Sequence, residues 1–254
     1  LTFKYNDIHS LEKLFNENPD DIACVIIEAI GLESPDPNFL NNVKDLAHRH
    51  NSILIFDEMK TGCRLALGGV EEFTGVSPDL STWGKAVANG YPLSFISGKS
   101  EVMKEIDNTF FSFTFGGEAV SIAACLKTME LIQKRGTIHH INSLGSRLKK
   151  GFDDLIIKHN LTDFIFNKGL SAHFITNFKG GNQFNAMDLK SLLHQELIKR
   201  KQLSIGSYML SGAHTIDHIK SFLKHLDEVL DIVKNSIKEE NVIDMIEGKK
   251  VQSI

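Results

Sequence analysis

Apolar positions recur along this chain at two periods, and the changes of period mark its elements. Residues 9–18 place Leu11, Leu14 and Phe15 on one face of a short predicted helix, broken by Pro19-Asp20-Asp21. Ile22–Ile27 is an unbroken apolar, β-rich run, which predicts a strand buried on both faces in a parallel sheet. After the loop Pro35-Asp36-Pro37, residues 38–50 carry Phe39, Leu40, Val43, Leu46 and Ala47 at helical spacing. Ser52–Phe56 is a second buried run. The span 22–56 is therefore a strand–helix–strand unit of the length a right-handed crossover needs.

Gly62 to Gly75 contains glycines at 62, 68, 69 and 75 and predicts a loop or lid. Leu80–Trp83 and Leu93–Gly98 predict short strands, 100–106 a short helix, and Phe110–Phe115 an extended aromatic run turned by Gly116-Gly117. A helical pattern from Glu118 to Arg135 carries Ala119, Ile122, Ala123, Leu126, Met129, Leu131 and Ile132, with Gly136 as its stop. Beyond it come a charged amphipathic helix at 138–159 and a hairpin-like pair of strands, Phe164–Gly169 and Ala172–Phe178. A helix at 186–200, a short strand at Leu203–Gly206 and a long helix at 215–238 follow. The fold class is α/β: part of a large domain with a mainly parallel sheet over 1–117, a connecting long helix over 118–137 and a small α+β domain over 138–238. Residues 239–254 are a charged tail thin in apolar periodicity, expected to hold little structure.

Composition narrows the class without naming a function. The 254 residues are 42% hydrophobic and 24% charged, ordinary for a globular chain with a sizeable core. Lys and Arg number 28 against 32 Asp and Glu, a net charge of −4, so no electrostatic footprint for nucleic acid is present. Cys24, Cys63 and Cys125 are scattered, which suits reduced thiols in the cytoplasm, each packed as a small hydrophobe. No apolar run of about 18 residues predicts a membrane span. The amino end shows neither an apolar signal region nor an initiator methionine, so the chain is expected to start within a longer protein.

Two residues carry most of the candidate chemistry. Asp57 follows the second buried run, at the strand end where open α/β sheets bind ligands. A carboxylate there needs a partner, and a protonated pyridine nitrogen is one. Lys85 follows Gly84 in a loop after the third strand, and a partly desolvated lysine amine forms an imine with an aldehyde. Carboxylate, loop lysine and α/β sheet together suggest pyridoxal phosphate. The rival reading of an apolar run ending in Asp57-Glu58 is the Mg²⁺ strand of an ATPase, which needs a G-x-x-x-x-G-K-[ST] loop. Here Gly84-Lys85 is followed by Ala86, and no such loop exists. Dinucleotide binding has no G-x-G-x-x-G to support it.

In order and spacing, several segments resemble the fold-type I, class III aminotransferases, and their glutamate-1-semialdehyde aminotransferase-like branch most closely. They are Val25–Glu28, Ile53–Glu58 with Thr61–Arg64, Pro78–Leu80 through Gly84-Lys85, Gly90–Pro92, Phe113–Glu118 and Ser211–Ile219, spread over most of residues 1–235. The resemblance implies pyridoxal 5'-phosphate as cofactor. It implies Lys85 as the Schiff-base lysine and proton shuttle, and Asp57 as the partner of the ring nitrogen. Met59 would pack on a ring face, Thr114 would bind the phosphate (usually the neighbouring subunit's), and Glu28 would lie near the cofactor. It further implies amino-group transfer between a small-molecule amino donor and a keto or aldehyde acceptor, in a homodimer with a shared active site. An intramolecular aminomutase of the glutamate-1-semialdehyde type, or a truncated chain that dimerises without cofactor, stays open. Ala29 stands where the family usually has proline, and Cys63 where phenylalanine is common. The family's Gly-Ser/Thr phosphate turn, its stacking aromatic residue and much of its substrate pocket have no counterpart here. The chain is therefore expected to be the C-terminal part of a longer enzyme, with an incomplete cofactor site.

Other residues have simpler readings beside functional ones. Thr114 is either a plain strand threonine or a phosphate ligand, since Gly116-Gly117 before a helix makes an anion-friendly turn. Glu28 is either a loop acid or a site residue, and Arg64 either a structural ion-pair partner or a carboxylate receptor. His139-His140 and the i, i+4 pair His214 and His218 have metal-ligand spacing but no completing ligand, so capping or surface roles are expected. His173 is expected to be packed or hydrogen-bonded. Phe110, Phe111, Phe113 and Phe115 are expected to serve core and interface packing.

Overall fold

The computed structural model describes residues 1–110 and 112–251, so Phe111 and residues 252–254 lie outside the described residues. The chain divides into two compact units, Leu1–Ile138 and His139–Ile254.

In the first unit the Asp7 side chain caps α1 (Ile8–Glu17), accepting from the Ser10 amide at 3.2 Å. Then come β1 (Cys24–Ile27), α2 (Phe39–Arg49) and β2 (Ile53–Asp57). They are followed by α3 (Gly69–Thr74), β3 (Leu80–Trp83), a 3₁₀ turn at Lys85–Ala88 and β4 (Phe95–Gly98). The sheet runs β1-β2-β3-β4. The first three strands are parallel and β4 returns antiparallel to β3. Helix α4 (Ser100–Met103) continues as a 3₁₀ turn to Asn108 before α5 (Ala119–Lys134).

Several expectations need correction. Val25 and Ile27 are 4% and 8% exposed, but Ile26 between them is 58% exposed, and Cys24 is exposed rather than packed. Helix α2 packs on β2 and α1 packs on α2, so the β1 run is covered on one face only. An unbroken apolar run does not encode which of its faces a neighbour covers. Within 62–75, expected as loop, residues 69–74 wind into α3, stopped by Gly75 at φ 77°. Among its described residues the aromatic run holds no strand; residues 114–117 are a turn, with Phe110 and Phe115 95% and 74% exposed. Helix α5 buries only Ser121 and Cys125 and exposes Ile122 and Leu126.

The second unit holds most of α6 (Thr137–Lys158), with β5 (Ile165–Leu170), β6 (His173–Phe178), α7 (Ala186–Lys199), β7 (Ser207–Met209) and α8 (Ile216–Lys238). Its three strands form an antiparallel sheet. Phe152, Phe174, Leu192 and Leu226 pack in its core. The third strand forms after Gly206, not before it. Leu203 and Ile205 are 88% and 73% exposed, whereas Tyr208 stacks on Phe174 with ring centroids 4.9 Å apart. Aromatic burial outweighs the local apolar pattern there. Residues 239–251 carry no helix or strand, yet Val242 is buried, and Lys250 Nζ pairs with the buried Asp188 at 2.6 Å.

The amino edge of the first sheet is tied by one carboxylate. Asp79, just before β3, lies 2.7 Å from Lys99 Nζ and 2.8 Å from His48 Nε2, and accepts from the Leu54 amide at 2.6 Å. Burial pushes its carboxyl up, but the Lys99, Leu54 and His48 hydrogen bonds outweigh burial and hold it at about 2. A depressed folded value stabilises above the unfolded one, and the gain disappears as pH falls from about 4 toward 2. Asp79→Asn should therefore cost on the order of 2 kcal/mol in denaturant titrations at neutral pH. Its curve should converge on the wild-type curve in acid; a deficit constant down to the lowest pH would contradict this account.

Candidate active site

The parallel register decides which residues meet at the carboxyl edge. Ile27 lies opposite Phe56, and Asp57 opposite Thr82. Glu28, Asp57 and Gly84-Lys85 thus leave three adjacent strands at the same edge. The Glu58 amide donates to the Thr82 carbonyl at 3.0 Å and carries the β2–β3 pairing past the last strand residue.

Asp57 is half-buried, and its Oδ1 accepts from the Met59 amide at 2.9 Å. This folds residues 57–59 into a tight turn and aims Met59 across to β3. A Cβ on Gly84 would lie 2.5 Å from Met59 Cε and 2.8 Å from its sulfur, so Gly84 leaves the space the thioether fills. Lys85 is exposed at φ 51°, a left-handed conformation uncommon for a residue with a side chain. Such strained backbone collects at functional sites. Among the described residues, neither Asp57 nor Lys85 has an ion-pair partner. Glu28 does: Lys60 Nζ lies 3.1 Å from its Oε1.

A second layer supports this edge. Trp83 donates from Nε1 to Ser97 Oγ at 2.8 Å and stacks on Phe95 at 5.9 Å. A Cβ on Gly62 would meet the Trp83 ring at 2.6 Å and the Glu58 carbonyl at 2.8 Å. Cys63 and Cys125 pack with Trp83, and burial, with Cys125 and then Glu58 adding to it, pushes the Cys63 thiol up to about 11. Cys63 therefore fills space as a neutral thiol. Arg64 Nε donates to the Lys60 carbonyl at 3.2 Å, a contact that holds the 60–64 loop together.

Glu58 was not singled out from the sequence as a site residue. It is 1% exposed, accepts from the Thr61 hydroxyl at 2.5 Å and from the Val70 amide at 2.6 Å. Burial pushes its carboxyl above the ordinary carboxylate range, against the pull of Thr61 and of the Val70 and Glu71 amides. A glutamate so enclosed cannot face a nucleotide-bound water, which removes the ATPase alternative. The available signal was slight: a threonine three residues on, able to donate to a carboxylate, and the glycine pair Gly68-Gly69 beyond it.

Among the described residues, no hydrogen bond ties Thr114 to this edge. It is exposed in the 114–117 turn and takes part in none of the hydrogen bonds described above. The anion-friendly helix start expected beside it is already occupied: the Glu118 carboxylate accepts from Val120 and Ser121 amides at 2.7 and 2.8 Å. The histidines are capping and packing groups. His214 Nδ1 accepts from the Ser211 amide at 3.0 Å, and His218 Nδ1 from the Thr215 amide at 3.2 Å. His140 Nε2 lies 2.8 Å from the His214 carbonyl, and His173 Nε2 lies 3.2 Å from Ser207 Oγ. Among the described residues, no group of three or more metal-binding side chains converges, and no helix is long and apolar enough to cross a membrane.

Residues 3–184 match the profile described as Aminotransferase class-III. The chain belongs to the class-III aminotransferase family. Solved structures share its fold. The FumI protein of Sphingopyxis sp. MTA144, in its PLP internal aldimine form, is 23% identical over 94% of this chain, with a TM-score of 0.86. An omega-transaminase from Sphaerobacter thermophilus is 22% identical over 91%, with a TM-score of 0.79. A glutamate-1-semialdehyde aminomutase from Pseudomonas aeruginosa, in complex with PMP, is 20% identical over 89%, with a TM-score of 0.74. This class-III chain spans 58%, 56% and 55% of those three chains.

The two glycines that admit side chains at this edge differ in what they touch. Gly62→Ala drives a methyl into an indole and a backbone carbonyl and should cost roughly 1–3 kcal/mol. Gly84→Ala meets only the end of a flexible thioether and should cost less. Urea titrations of both variants check the order, which a larger loss for Gly84→Ala would reverse.

Proposed function

We propose that this chain carries the reactive lysine and the ring-nitrogen carboxylate of a pyridoxal-phosphate-dependent aminotransferase. One observation supports this above the rest. Asp57 and Lys85 leave adjacent parallel strands at one edge, and among the described residues neither has an ionic partner, while the neighbouring acids Glu28 and Glu58 are satisfied. Met59, its thioether seated against Gly84, adds an apolar side chain beside that edge.

Pyridoxal phosphate, when bound, supplies an electron sink for a carbanion at the substrate α-carbon. The Asp57 carboxylate holds the proton on the pyridine nitrogen, offsetting a charge that would otherwise stand unpaired. The Lys85 amine would be the cofactor's point of covalent attachment and the group that moves a proton at the substrate α-carbon. Met59 would pack against the cofactor ring. Glu28, anchored by Lys60, borders the same edge without bonding to Asp57. Thr114, exposed in its turn, would bind the phosphate of a neighbouring subunit.

The substrates are a small-molecule amino donor and a keto or aldehyde acceptor. The working form is a homodimer. Phe110, Phe113 and Phe115 are 95%, 55% and 74% exposed, with Val120 and Leu126 at 59% and 66%. A helix apolar around most of its girth belongs against a partner. Reduced thiols suit a cytoplasmic setting.

In the full-length protein, Lys85→Ala should lower amino transfer at least about a hundredfold, and Asp57→Asn should do likewise. Donor turnover that needs a separate keto acceptor supports transamination. Turnover without one supports the intramolecular aminomutase, and none at all with cofactor present supports a non-catalytic chain. By sedimentation equilibrium the protein should be a dimer that Leu126→Lys loosens; a strictly monomeric, cofactor-loaded protein would contradict the shared site.

A further inference from the structure

We infer that Glu58 is the positioning residue of this site, fixing Asp57 and Met59 from below through a carboxylate buried among neutral donors. The inference rests on the cofactor reading above. Residue 58 is tied at four points. Its amide donates to the Thr82 carbonyl at 3.0 Å, and its carbonyl accepts from the Gly62 amide at 2.9 Å. Its Oε2 accepts from Thr61 Oγ1 at 2.5 Å, and its Oε1 from the Val70 amide at 2.6 Å. These bonds join the ends of β2 and β3, the 61–62 turn and the first amides of α3 through one residue.

The pocket for this carboxylate is built rather than incidental. Gly69 adopts φ 70°, and a Cβ there would lie 2.4–2.5 Å from the Glu58 carboxyl atoms. A glycine is therefore required on both steric and backbone grounds. Among the described residues no lysine or arginine pairs with Glu58. Its charge is balanced by hydroxyl and amide donors alone, so those donors carry the full cost of leaving it buried.

The consequence reaches the reactive edge through the chain itself. Asp57 and Met59 flank Glu58, and the Asp57 Oδ1 to Met59 amide bond spans it. Met59 in turn fills the space over Gly84, next to Lys85. Releasing the Glu58 side chain frees the 61–70 loop and, with it, the turn that sets the Asp57 carboxylate and the Met59 thioether. Glutamine can keep the arrangement. Its carbonyl can face the Val70 and Glu71 amides, and its NH₂ can donate to Thr61 Oγ1, because a hydroxyl also accepts. Alanine cannot.

The test titrates pyridoxal 5'-phosphate into the full-length protein and follows the visible band of lysine-bound cofactor. Melting curves are recorded alongside. Wild type should show the band; its absence there would overturn the cofactor reading rather than the role of Glu58. Glu58→Ala should weaken cofactor binding roughly tenfold or more and move the pH at which the band changes, and Glu58→Gln should restore both. Should Glu58→Ala fail to fold, Thr61→Val removes one donor with little change of shape, and an intermediate loss of affinity is expected. Wild-type affinity and band in the Glu58→Ala protein, or in Thr61→Val where alanine does not fold, would overturn the inference.

Discussion

The site depends on the parallel register of β1, β2 and β3. With Ile27 opposite Phe56 and Asp57 opposite Thr82, each of the three strands ends within one residue of its neighbour. Whatever follows each strand is delivered to one edge. A slip of one residue would turn Asp57 to the other face of the sheet. Leu54 and Phe56, both fully buried, resist that slip, because it would expose them. The hydrophobic alternation of β2 thus aims a polar side chain in which it takes no direct part.

The two edges of this sheet treat carboxylates in opposite ways. At the amino edge Asp79 is saturated by Lys99, His48 and the Leu54 amide, and it stabilises the fold. At the carboxyl edge Asp57 keeps only the Met59 amide among the described residues. Beneath it Glu58 is buried and fully engaged, so the edge offers one acid outward and holds another in place. The same residue type therefore serves stability, positioning and chemistry according to the number of donors around it.

Much of the first unit was legible because strand runs and helix periods follow from burial, as in Ile53–Phe56 and Phe39–Ala47. Asp57 and Lys85 were legible as residues that follow two strands; that the strands are parallel neighbours, so that both residues leave at one edge, came from the structure. One-sided burial escaped notice because the Ile22–Ile27 run is apolar on both faces, although only Val25 and Ile27 are covered. The place of β7 escaped because Gly206, read as a strand end, is a turn at φ 82° from which the strand starts. Glu118 was read as the start of a helix, and its capping of two amides needed coordinates. Glu58 was hidden by its neighbour: beside a catalytic-looking aspartate, a buried glutamate has no periodic signature of its own.

The proposed chemistry requires Lys85 to be the covalent anchor of pyridoxal phosphate. The most direct measurement is borohydride reduction of the cofactor-loaded, full-length protein, followed by peptide mapping by mass spectrometry. The cofactor should be found on the peptide that contains Lys85. A folded, cofactor-exposed protein labelled on a different lysine, or on none, would contradict the account.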